Sequence, residues 1–143
     1  MSRARLQDLA ELTMAARTAR ESRMQAIADE EAVIRQKLAT LAEHRAAAMT
    51  SARGDGFVLR SVGADVLWQG WLDRTERELQ IELARVLARK EEARRHLQRA
   101  YGRAAAAADL LEDARRKAQE AAETRRATRD EAVMLLRSAA PER

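Results

Sequence analysis

Residues Leu72–Leu111 read LDRTERELQIELARVLARKEEARRHLQRAYGRAAAAADLL, and the spacing of their apolar residues decides the fold. Stepping alternately by four and three from Leu72 lands on Leu72, Glu76, Leu79, Leu83, Val86, Lys90, Ala93, Leu97, Ala100, Ala104, Ala107 and Leu111. The register runs on without a skip through Ala114, Ala118, Ala121, Arg125, Thr128, Ala132 and Leu135, so 15 of its 19 positions are apolar. An α-helix turns every ~3.6 residues. A stripe that repeats every 3.5 stays against one partner only if the helices wind around each other left-handedly. The spacing predicts a coiled coil.

The chain upstream carries a matching stripe. It runs through Met24, Ile27, Glu31, Ile34, Leu38, Leu41, Arg45 and Ala48, with an earlier part at Leu6, Leu9, Thr13, Ala16 and Arg20 joined through a stutter. Between the stripes lies the one stretch with turn chemistry, Arg53-Gly54-Asp55-Gly56 and on to Gly63. Glycine enters the left-handed conformation that ends a helix at little cost. Ser61, Gly63 and Asp65 then offer capping and first-turn residues for a second helix. The expectation is an all-α chain with one elongated domain over 1–143. Its helices run over about 2–52 and 64–139, the loop covers about 53–63, and Pro141 stops the second helix.

Charged residues inside the stripes choose between a hairpin and a parallel dimer. Folding the chain about residue 60 sets Arg45 opposite Glu76 and Glu31 opposite Lys90. A parallel in-register dimer would stack Glu31 on Glu31 and Lys90 on Lys90, which costs stability in a partly desolvated seam. The antiparallel hairpin is therefore expected, with these four residues setting its register. The same fold leaves the second helix overhanging the first by about 20 residues, roughly 30 Å at the helical rise.

Composition agrees with an elongated object. One Phe, one Tyr and two Trp cannot fill a globular core. The 35% of charged residues, with both signs mixed, suit a large wet surface. The net charge of +4 comes from 27 basic against 23 acidic residues without a dense basic block, so nucleic acid is not the expected partner. There is no cysteine and no apolar run long enough to span a bilayer, so the protein is expected in the cytoplasm, at a membrane only through a partner.

No catalytic, cofactor or metal constellation is expected. His44 and His96 stand alone, and Gly54-Asp55-Gly56 is a turn and not a phosphate loop. Acid–base neighbours such as Glu31–Arg35, Glu91–Arg95, Glu112–Arg116 and Asp113–Lys117 read as helix support. Three surfaces remain. Trp68 and Trp71 flank the seam; they either fold under Phe57, Val58 and Leu59 or form a binding patch. The C-terminal tip carries Ala132, Val133, Met134, Leu135 and Leu136, preceded by Arg125, Arg126 and Arg129, and either frays, self-associates or docks. The ridge Arg95, Arg99 and Arg103 reads as a solvated face or a contact for acidic groups.

The opening of the second helix, Trp68-Gln69-Gly70-Trp71-Leu72-Asp73-Arg74-Thr75-Glu76, resembles the FliJ (YscO-like) family of flagellar and injectisome export proteins, as do Tyr101 and Leu110-Leu111-Glu112 further on. The general pattern covers nearly the whole chain and the specific part about ten residues. The resemblance implies a cytoplasmic stalk of a type III export apparatus, similar to the coiled coil of a rotary ATPase. It implies docking of the paired termini in the hole of a hexameric export ATPase, of the loop-proximal region on the membrane export gate, and contact with export chaperones. On this chain Trp68 and Trp71 would meet the gate, and Arg125, Arg129, Val133 and Leu136 would enter the ATPase. A homo-oligomerising coiled-coil adaptor and a basic nucleic-acid binder are the alternative classes.

Overall fold

The structure, a computed structural model, describes residues 1–52 and 62–141. They form two long helices packed against each other, α1 (Arg3–Ala52) and α2 (Val62–Ser138), and no strand occurs among the described residues. The Arg53–Gly56 turn, Phe57, Val58, Leu59 and Ser61 lie outside the described residues.

Three of the four helix ends carry recognisable end chemistry. Ser2 caps α1: its Oγ accepts from the Arg5 amide at 3.3 Å and its carbonyl from the Leu6 amide at 3.1 Å. Helix α2 begins at Val62, two residues before the expected start, and takes Gly63 into its first turn with Asp65. An acid there suits the positive end of the helix dipole. At the far end the Ala139 amide still reaches the Leu135 carbonyl at 3.1 Å before Pro141, which has no N–H to continue the ladder. Gly70 and Gly102 sit inside α2 without breaking it.

The chain divides into two compact units, one formed by Ala19–Gln98 and the other by Met1–Thr18 with Arg99–Arg143. In the Ala19–Gln98 unit the core is Ile27, Ile34, Leu79, Leu83, Val86 and Ala93, with Met24, Leu38 and Leu41 packed against it. All nine are seam positions of the 3.5-residue repeat. Leu72, at 1% exposure, is the most deeply buried large side chain. Cross-helix ion pairs give the sense of packing here. As the α1 number rises from Glu31 to Arg45, the α2 partner falls from Lys90 to Glu76, so these segments run antiparallel.

In the other unit the buried residues are Leu6, Ala100, Ala104, Ala107 and Leu111. This seam is mostly alanine, which removes less apolar area from water per layer than the Leu/Ile/Val core. Here one expectation needs correcting. Ala16 and Arg20, read as seam positions, are exposed, and Arg17 and Glu21 are half-buried instead. The Arg17 guanidinium lies over the Tyr101 ring, 3.9 Å from its centroid. That cation–π contact turns Arg17 and not Ala16 inward, and Arg17's aliphatic stem covers ground that a methyl group would leave open.

Beyond Leu111, Ala114 and Ala122 are half-buried and every other residue of 112–141 is exposed. Among the described residues no helix is long and apolar enough to cross a membrane.

Candidate functional site

Two charged layers interrupt the apolar seam of the Ala19–Gln98 unit. Glu31 is 9% exposed and is the one buried charged residue among those described. Its carboxylate accepts from Lys90 Nζ at 2.5 Å and from Arg35 Nε at 2.8 Å. The Lys90 hydrogen bond, and then that of Arg35, hold its carboxyl below the usual 4.5 against the opposing effect of burial. The second layer joins Arg45 Nη2 to Glu76 Oε2 and to Asp73 Oδ1, each at 2.9 Å. Arg89 to Glu30 at 2.5 Å adds a further cross-helix pair. Asp73 and the Arg89–Glu30 pair were not picked out from sequence. All three lie outside the stripe, Glu30 and Arg89 next to its charged positions and Asp73 one helical turn from Glu76.

These layers join the two helices within the Ala19–Gln98 unit. The most exposed apolar side chains lie elsewhere. Trp68 and Trp71, one helical turn apart, stack with ring centroids 5.1 Å apart and planes 16° from parallel. They remain 41% and 44% exposed, and Val66 and Leu67 beside them are more exposed still. Two large rings held against each other lose little freedom when a partner covers them, which favours such a pair as an anchor.

The C-terminal stretch of α2 is bare. Arg125, Arg129, Val133 and Leu136 follow one another at spacings of four, four and three, which puts them on one side of the helix. Val133 is 42%, Leu135 64% and Leu136 73% exposed. Arg125 Nε donates at 3.2 Å to the Ala121 carbonyl of its own helix.

No family model, curated protein or solved structure matches the chain.

The remaining charged features are local. Arg116 turns to Asp113 at 2.6 Å and not to Glu112, which has Arg115 at 3.9 Å. Three-residue spacing replaces four in both pairs. Glu91 is held mainly by Arg94, at 2.7 Å, and its carboxyl is lowered for that reason; Arg95 stands off at 3.6 Å. His44 is exposed, and His96 Nε2 lies 3.7 Å from Glu92 Oε1. Among the described residues no group of three His, Cys, Asp or Glu side chains could hold a metal ion. Arg20, displaced from the seam, lines a polar cleft of about 390 Å³ with Arg23, Arg89, Glu92, Ala93 and His96. Nothing in the seam pattern pointed to it.

Proposed function

We propose that this chain is a non-enzymatic stalk of a cytoplasmic type III protein export apparatus, flagellar or injectisome. It would be an antiparallel, left-handed coiled-coil hairpin whose second helix overhangs the first. In this reading it couples a hexameric export ATPase to the membrane export gate, meets export chaperones, and reaches the membrane only through the gate. Its bare C-terminal helix, through Arg125, Arg129, Val133 and Leu136, enters the ATPase ring. Trp68 and Trp71 meet the gate.

One observation carries the reading: α2 continues for more than six turns after Leu111 with almost every side chain exposed. Most helical stability in proteins comes from packing one face against a partner, so a chain that keeps so long an uncovered helix gains by docking it. The exposed, stacked tryptophans supply a separate second surface, and the resemblance of residues 68–76 names the kind of machine.

The test is co-purification with a hexameric export ATPase, repeated with residues 125–143 deleted. Loss of the complex on deletion is expected, and retained binding overturns the tip assignment. Trp71→Ala is expected to abolish export while keeping helicity and ATPase binding. Export that survives Trp71→Ala and Trp68→Ala together would remove the gate role.

A further inference from the structure

We infer that the bare seam of α2 between Ala118 and Leu135 is the docking face for an acidic helix of a partner protein. The inference rests on the reading of the tail as a docking segment, and not on which machine supplies the partner.

Continuity is the first argument. The 3.5-residue register that is buried at Ala100, Ala104, Ala107 and Leu111 continues in phase through Ala118, Ala121, Arg125, Thr128, Ala132 and Leu135, where the described residues leave it uncovered. A helix with no partner has no reason to keep a 3.5-residue spacing, because its own turn is ~3.6 residues and the stripe drifts about 20° per heptad. Small residues at four of these six positions leave room for larger side chains on the helix that covers them.

Charge placement is the second argument, and it chooses the occupant. The residues immediately flanking this seam include Arg115, Lys117 and Arg129 against Glu131, and Arg125 lies within the seam itself. The other acids of the segment, Glu120, Glu123 and Asp130, fall on the remaining faces. Arg115 is only loosely engaged, 3.9 Å from Glu112. A helix laid along this face thus meets four cations and one carboxylate. Flanking charges of opposite sign set partner choice in coiled coils.

A second copy of this chain fits worse. Parallel, in-register pairing sets Arg125 on Arg125. The antiparallel register that matches Ala118 with Leu135 leaves the two Arg125 side chains in adjacent layers. Either way like charges crowd a seam with little apolar area to offset them. The layer of Glu31 with Lys90 shows the alternative within this molecule: a charged seam residue met by its opposite.

The test uses the full-length chain and two synthetic four-heptad peptides with leucine at both seam positions. One carries glutamate and the other lysine at the flanking positions. Fluorescence anisotropy is expected to show binding of the acidic peptide only, with binding that falls steeply as salt rises. Arg125→Glu with Arg129→Glu is expected to weaken it by roughly tenfold or more, with circular dichroism showing the variant folded. Equal binding of both peptides, no binding of either, or undiminished binding of the acidic peptide to a chain lacking residues 115–143 would overturn the inference. So would a wild-type dimer in sedimentation equilibrium that disappears on that deletion, since it assigns the seam to a second copy. If an export ATPase complex is lost on deletion but indifferent to the charge reversal, the docking tail stands and the acidic helix falls. If the ATPase never binds while the acidic peptide does, the export reading falls and the seam stands.

Discussion

Lys90 and Arg125 occupy equivalent positions of one repeat in one helix, yet their surroundings differ completely. Lys90 reaches Glu31, whose side chain is only 12% exposed and which Arg35 holds from behind. Arg125 lies exposed and, among the described residues, finds only a carbonyl of its own helix. The lesson is that a charge in a coiled-coil seam can be read by what meets it. Where the opposite charge is present, as at Glu31, it joins two helices already together. Where it is missing, as at Arg125, the proposed acidic helix would supply it.

The sharpest way to break that comparison is to make the same cut in both regions. Ile27→Ala, in the covered core, is expected to cost about 2–4 kcal/mol through lost burial and an incompletely refilled cavity. Leu135→Ala, at a seam position of the bare segment, should change stability by no more than about 0.5 kcal/mol. Urea unfolding followed by circular dichroism measures both. Comparable losses would mean that Leu135 is packed in the free protein.

Reversing charges probes the covered layer alone. Glu31→Lys sets a cation against both Lys90 and Arg35 and is expected to lower the thermal midpoint, by less than Ile27→Ala does. Adding Lys90→Glu should recover part of that loss. If the double reversal is no better than the single one, the layer does not set register.

Two glycines allow a gain in place of a loss. A Cβ added at Gly70 or Gly102 meets nothing within 4 Å, so nothing opposes the intrinsic preference for alanine in a helix. Each substitution is expected to stabilise by about 0.5–1 kcal/mol. A smaller gain at Gly102 than at Gly70 would fit greater fraying in the alanine-seamed unit.

The smallest effect is that of pH. The Glu31 and Glu91 carboxyls lie below their usual 4.5 because of Lys90 with Arg35, and Arg94, respectively. A carboxyl lowered in the folded state stabilises it fully above the unfolded value. That contribution is lost as pH falls through the lowered folded value. Thermal midpoints should therefore decline below about pH 4.5, and Glu31→Gln should flatten the decline more than Glu91→Gln, whose pairs are solvated and local. Equal slopes for the two variants would count against a special role for the buried layer.

Much of the fold was legible because period, not composition, carries it. A stripe of alternating threes and fours points to the residues that get buried: from Leu72 to Leu111 every seam position is buried or half-buried. The reading went astray at Ala16 and Arg20. A pattern that counts methyl groups as core and arginine as surface does not foresee a guanidinium laid over Tyr101. Cross-helix charges within the stripe were legible, whereas Asp73 and the Arg89–Glu30 pair depend on side-chain reach across the groove. Trp68 and Trp71 stood out by type, but their stacking on each other is a matter of rotamers that sequence spacing only permits. The bare tail was legible as a difference in length between two matched stripes.

Backbone amide hydrogen exchange, residue by residue, on the free protein and then with a hexameric export ATPase, tests the central contrast most directly. Amides of 72–111 should be strongly protected in both states. Those of 115–138 should exchange rapidly in the free protein and become protected when the ATPase is added. Strong protection of 115–138 in the free protein would show the segment already covered. No protection with the ATPase bound would show that the complex forms elsewhere, and either result would contradict the account.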